Sequence, residues 1–131
     1  MIITGKYPCL RLRRSRKFHW SRRLVQENNL SVNDFIQPIF LIEGKNKKIP
    51  IKSLPNVYRY SIDKLATIVD KAIRRKIPMV ALFPYTNPKL KNNLGTEALN
   101  ENNLVCQGIR YIKKRYKNSI GIMCDVALDP Y

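Results

Sequence analysis

No apolar run in this chain approaches the roughly 18 residues needed to cross a bilayer. The opening stretch, MIITGKYPCLRLRR, holds too short an apolar segment for a signal peptide. These two absences lead us to expect a cytoplasmic protein. Cysteine is scarce and odd in number: Cys9, Cys106 and Cys124, with no C-x-x-C pair. That argues against a zinc ribbon or a disulfide framework, and for three reduced, mostly packed thiols. No internal repeat is present. Carboxylates are few as well: 9 Asp and Glu against 25 Lys and Arg give a net charge of +16 over 131 residues. The hydrophobic fraction of 44% is that of a globular protein and excludes wholesale disorder. The length fits one domain with a modest core.

What is abundant is positive charge, and it is concentrated. RLRRSRKFHWSRR, Arg11 to Arg23, sets Phe18 and Trp20 among basic residues. Such a stretch can hold phosphates and stack bases, which makes a small nucleic-acid-binding module one reading. The other is an exposed arm that docks on another subunit. The remaining lysines lie scattered among asparagines, as in EGKNKK and PKLKNN, and suggest compositional drift.

Residues 1–33 read as the basic arm, with a helical turn near Arg22 to Gln26. DFIQPIFLIE, Asp34 to Glu43, is a strand; Pro38 argues for an edge, a first residue or a bulge. IPIKSLPNVYRYS carries a turn at Leu54-Pro55-Asn56 between short extended pieces. Ser61 is placed to cap a helix over IDKLATIVDKAIRR, with Asp63 in its first turn. There Ile62, Leu65, Ala66, Val69, Ala72 and Ile73 form one apolar face. Pro78 should stop this helix. MVALFP, Met79 to Pro84, reads as a strand buried on both faces. A polar loop of unusual length follows. A second helix near Leu104 to Tyr116 places Val105, Ile109, Ile112 and Tyr116 on one face. SIGIMCDVALD is the last strand. This β, α, β, α, β order predicts an α/β fold with a parallel sheet, open or part of a barrel.

The last strand raises a chemical question. Alternation puts Ile120, Ile122, Cys124, Val126 and Leu128 on one face, expected to pack on helices. Gly121, Met123, Asp125, Ala127 and Asp129 share the other. In a barrel that face points inward, near the C-terminal mouth where such folds carry their sites. On a straight strand the Cα atoms of Asp125 and Asp129 lie about 13 Å apart, too far to share one ion. A plain solvated turn at Asp129-Pro130 is the competing reading.

Five segments occur in order: RLRR in a basic arm, DFIQPIFLIEG, IPIKSLPNVYRYSID, IPMVALFP and CDVALDPY. Together they resemble the N-terminal portion of the porphobilinogen synthase family, also called 5-aminolevulinate dehydratase. PIKSLPNVYRYS departs from the family pattern at Asn56, where glycine is usual. The resemblance implies an arm followed by the first βα units of a TIM (β/α)8 barrel, incomplete in this chain and covering 34–131. It implies a homo-octamer formed through the arm. It also implies condensation of two 5-aminolevulinate molecules to porphobilinogen with loss of water. Two lysines on later strands form Schiff bases with the substrates in that reaction. They lie beyond residue 131, and Lys52, Lys64, Lys89 and Lys91 match neither. The chain thus looks like a fragment without activity of its own.

Two positions carry over. Asp125 matches the aspartate near the substrate lysines, and Asp129 a metal-binding position, with Asp125 a possible second metal contact. Zinc-dependent members have cysteines where this chain has Ala127 and Asp129. Carboxylates suit magnesium-type ions, so the resemblance implies a divalent metal of that type over three-cysteine zinc. Cys124 has the wrong parity for a ligand. A non-catalytic partner of an intact enzyme is a further reading.

Overall fold

The structure, a computed structural model, describes residues 5–11 and 13–131. The chain divides at Leu30–Ser31 into two compact units. In the first, a short 3-10 turn at Arg14–Arg16 precedes helix α1, His19–Leu24. That helix begins three residues before the expected turn. The Ser21 hydroxyl donates to the carbonyl of Phe18 and accepts from its N–H, closing the first turn.

The second unit opens at Ser31, whose hydroxyl accepts from the Asn33 N–H while Asp34 accepts from the Ser31 N–H. Strand β1, Ile36–Ile42, follows. Then come strands β2, Lys48–Pro50, and β3, Tyr58–Tyr60, an antiparallel pair. Helix α2 spans Leu65–Arg74, strand β4 Met79–Tyr85, helix α3 Leu104–Tyr116 and strand β5 Gly121–Cys124. The sheet order is β2-β3-β1-β4-β5, parallel throughout except at the β2–β3 hairpin. The α/β class and the parallel sheet read from the sequence are therefore present, with the hairpin inserted between β1 and α2.

Register sorts the side chains. Ile39 pairs with Leu82 and Leu82 with Cys124, while Leu41 stands on the same face. Ile39, Leu41, Val80 and Leu82 are fully buried, packed with Leu65, Val69 and Ile112 of the two helices. Each such side chain contributes about 1.5–3 kcal/mol by leaving water. Gly108 lets α3 approach the sheet: a Cβ there would lie 3.1 Å from Leu41 Cδ1 and 3.4 Å from Leu82 Cδ1. Pro38 pairs with Ala81 on one side, and the β3 ladder on the other side begins only at Phe40. Its missing N–H thus falls where β1 has one neighbour.

Three local expectations are corrected. The Ser61 side chain does not cap a helix: it accepts from the Lys47 N–H at 2.9 Å and donates to the Lys47 carbonyl, tying the hairpin down. The segment Ile62–Lys64 is accordingly a 3-10 turn before α2 begins. That helix ends before Pro78, because Lys76 takes a left-handed φ of 59° and the Ile77 N–H bonds back to the Ala72 carbonyl. The last strand stops at Cys124, not Asp129. Its ladder with β4 covers only Gly121 to Cys124, and among the described residues no strand flanks its other edge. Val126 and Leu128, expected to pack on helices, are 100% and 69% exposed.

Candidate functional site

Parallel strands deliver their C-terminal ends to one edge of the sheet. Ile42 pairs with Tyr85, and Leu82 with Cys124, so the loops after β1, β4 and β5 all leave from that edge. The face opposite the helices carries Phe40 beside Phe83, ring centroids 5.7 Å apart, and Met123, which is in register with Ala81. Arg59, in register with Phe40, extends this face; its guanidinium sits 4.4 Å from the centroid of the Tyr85 ring. A cation held over an aromatic face is worth about 0.5–2 kcal/mol. A hollow of about 200 Å³ opens beside Tyr85, lined also by Glu43, Lys47 and Asn87.

Asp125 is the first residue past β5, and Asp129 lies in a turn closed by the Tyr131 N–H to the Leu128 carbonyl. Both are exposed. The Lys91 ammonium donates to the Asp129 main-chain carbonyl at 3.4 Å, linking the β4–α3 loop to this turn. The straight-strand separation estimated for the two aspartates does not apply, since neither is in a strand. Cys124 packs against the core on the helix side, as its parity requires, and burial pushes its thiol pKa up, with Cys106 adding to the shift. A protonated, core-facing thiol is a poor metal donor.

A larger cleft of about 460 Å³ lies elsewhere along the same edge, between the β1–β2 loop and the start of α3. Glu43, Lys45, Asp63, Glu97 and Tyr111 line it, and neither Asp125 nor Asp129 does. Asp63 accepts from the Asn46 N–H at 2.9 Å. Its pKa is lowered, chiefly by the nearby polar side chain of Ser61 and also by that Asn46 N–H. Among the described residues no three His, Cys, Asp or Glu side chains gather as a metal site. Arg59 and Tyr85 escaped sequence reasoning. The alternation in VYRY was legible, but the Tyr85 partner lies on a strand separated from Arg59 by a whole helix.

Consecutive βα units with strand ends converging on one edge define the class of a parallel α/β enzyme scaffold. The delta-aminolevulinic acid dehydratase family model matches residues 9–131, and the chain belongs to that family. It is 51% identical over 123 residues to the delta-aminolevulinic acid dehydratase of Bradyrhizobium diazoefficiens, covering 94% of this chain and 35% of that protein. The Helicobacter pylori protein of the same name is 38% identical over 122 residues, covering 92% and 37%. The crystal structure of the Toxoplasma gondii enzyme in complex with the reaction product porphobilinogen superposes with a TM-score of 0.81 at 34% identity. That match covers 93% of this chain and 34% of the other. The chain thus spans about a third of the length of these relatives.

Proposed function

We propose that these residues serve the condensation of two 5-aminolevulinate molecules to porphobilinogen, two waters being lost. The observation that carries this reading is the 51% identity with the Bradyrhizobium diazoefficiens enzyme over 123 residues. Within the reaction, residues 34–131 supply the first barrel strands and one wall of the site. Asp125 stands beside the substrate, where an acceptor can orient a substrate amine or take its proton. The Schiff-base lysines belong to later strands, so residues 1–131 by themselves should form no porphobilinogen. The family is metal-dependent. Asp129, with Asp125, would offer oxygen donors to a magnesium-type ion, which would supply Lewis-acid charge stabilisation. Ala127 and Asp129 do not offer the thiolates of a three-cysteine zinc centre. The basic arm supports a homo-octamer as the assembly. No described helix is long and apolar enough to cross a membrane, and we place the protein in the cytoplasm.

The test is a chimera. Residues 9–131 replace the matching segment of the Bradyrhizobium diazoefficiens enzyme, and porphobilinogen formation is assayed. A folded, active chimera is expected, with Asp125→Asn lowering kcat by about a hundredfold or more. Asp129→Ala should raise the metal concentration needed for half-activity. A folded but inactive chimera overturns the reading. So does porphobilinogen made by residues 1–131 alone.

A further inference from the structure

Residues 86–103 join β4 to α3 through two short 3-10 turns, Pro88–Leu90 and Thr96–Leu99. A connection this long in a compact unit is either mobile or built for a purpose. Its hydrogen bonds argue for a purpose. The Asn92 side chain accepts from the Leu94 and Thr96 N–H groups at 3.0 and 3.3 Å and donates to the Thr96 hydroxyl at 2.6 Å. That closes a turn in which Gly95 takes a left-handed φ of 60°. The Asn100 amide donates to both oxygens of the Glu97 carboxylate at 3.1 Å. Helix α3 ties down the far end. Arg110 donates to the Glu101 carbonyl at 2.8 Å and to the Asn102 side-chain oxygen at 2.9 Å, and Gln107 donates to the Asn102 carbonyl at 2.6 Å. A loop braced in this way holds its outward side chains at set positions before any substrate arrives.

What the loop meets is the turn after β5. Residues 125–131 have left the sheet, and past Cys124 no described strand pairs with them. Two contacts with the loop take the place of a ladder. The Lys91 ammonium donates to the Asp129 carbonyl at 3.4 Å. Gly95, buried, faces Leu128: a Cβ there would lie 3.8 Å from Leu128 Cδ2. The turn is closed on itself by the Tyr131 N–H, which donates to the Leu128 carbonyl at 2.9 Å. The choice of acceptor matters. A lysine paired with the Asp129 carboxylate would neutralise it, whereas one bonded to the main chain fixes where that carboxylate starts and leaves its oxygens for other partners. An exposed hydrogen bond of this kind adds little to global stability. Its loss is therefore read in the position of the turn, not in whether the chain folds.

We propose that the β4–α3 loop is a preformed bracket for the Asp125–Asp129 turn, with Lys91 as its positioning residue; this rests on the condensation proposed above, in which Asp125 stands beside the substrate. The first test is hydrogen exchange of the 131-residue chain. The Tyr131 amide should be protected. Lys91→Met keeps the length of the side chain, removes its donor and should speed that exchange by about tenfold. Lys91→Arg keeps a donor and should retain the protection. The second test is kinetic, in the chimera with the Bradyrhizobium diazoefficiens enzyme. Lys91→Met should lower kcat by about ten- to a hundredfold and leave KM within about twofold, since a misplaced group slows the chemical step while the substrate still binds. Lys91→Arg should stay within about threefold of the unsubstituted chimera. Leu94→Ala, at a loop side chain 85% exposed, should change neither exchange nor kcat. An unchanged kcat in Lys91→Met overturns the inference. So does an equal loss in Lys91→Arg or Leu94→Ala, which would reduce the loop to a general structural support, and so does Tyr131 exchange that ignores Lys91. A chimera inactive with Lys91 in place overturns the enzymatic reading instead, and the Tyr131 exchange then still decides the bracket.

Discussion

Strand β4 and the stretch from Gly121 to Tyr131 are similar as sequence and opposite as structure. Both are apolar runs with small residues and a proline near the end. All seven residues of Met79–Tyr85 pair with β1, and four of them with β5 as well. The later run has one neighbour for four residues and then leaves the sheet, with Val126 fully exposed. The difference teaches that hydrophobic alternation proposes a strand but the ladder decides its length. Backbone N–H and C=O groups must be paired or solvated, and past Cys124 no described strand pairs with this run.

The comparison can be broken in several ways. The largest expected effect is in hydrogen exchange. Amides of Val80 to Leu82 should exchange only through global opening, and those of Val126 to Leu128 nearly freely. Comparable protection in both would erase the distinction. Next, Leu82→Ala should cost about 2–5 kcal/mol in urea unfolding, whereas Val126→Ala should stay within about 0.5 kcal/mol. A Val126→Ala cost near that of Leu82→Ala would mean that the last run packs after all. Smaller is Tyr116→Phe. The Tyr116 hydroxyl donates to Asp70 at 2.7 Å and couples α3 to α2, so its loss should cost about 1 kcal/mol. The double change with Asp70→Asn should show the pair to be non-additive.

The smallest effect concerns pH. The carboxyl of Asp63 has its pKa lowered by Ser61 and by the Asn46 N–H. A carboxylate whose folded pKa is depressed stabilises the fold above its unfolded value of about 3.9, and that stability is lost as pH falls through the folded value. Asp63→Asn should therefore flatten part of the acid limb of stability below about pH 4 and leave neutral pH nearly unchanged. An unaltered acid limb would show that the hairpin tether at Asn46 contributes nothing.

Much of the fold was legible. Steps of three and four residues located α2 and α3, and Leu104 to Tyr116 matched to the residue. Asn103 confirms why that helix starts there, its side chain accepting from the Cys106 N–H. The departure at Asn56 also resolves: its φ of 63° is a left-handed conformation that asparagine tolerates where glycine is usual. Less of the site was legible. Pattern and resemblance singled out Asp125 and Asp129, which the structure places exposed after β5; their surroundings were not legible, because a carboxylate's neighbours come from other strands. Ser61 fitted a cap by sequence, yet its hydroxyl reaches Lys47, fourteen residues away.

By itself the sequence determined the order of elements, the faces of both helices, the buried strand β4 and the family motifs. These depend on periodicity and residue type, which act over a few neighbouring positions. Only the tertiary structure decided where β5 ends, that Arg59 lies over Tyr85, and that the acidic cleft stands apart from Asp125. Each of those depends on which distant backbone or side chain arrives alongside, and register across a sheet is set by the partner strand, not by the strand alone.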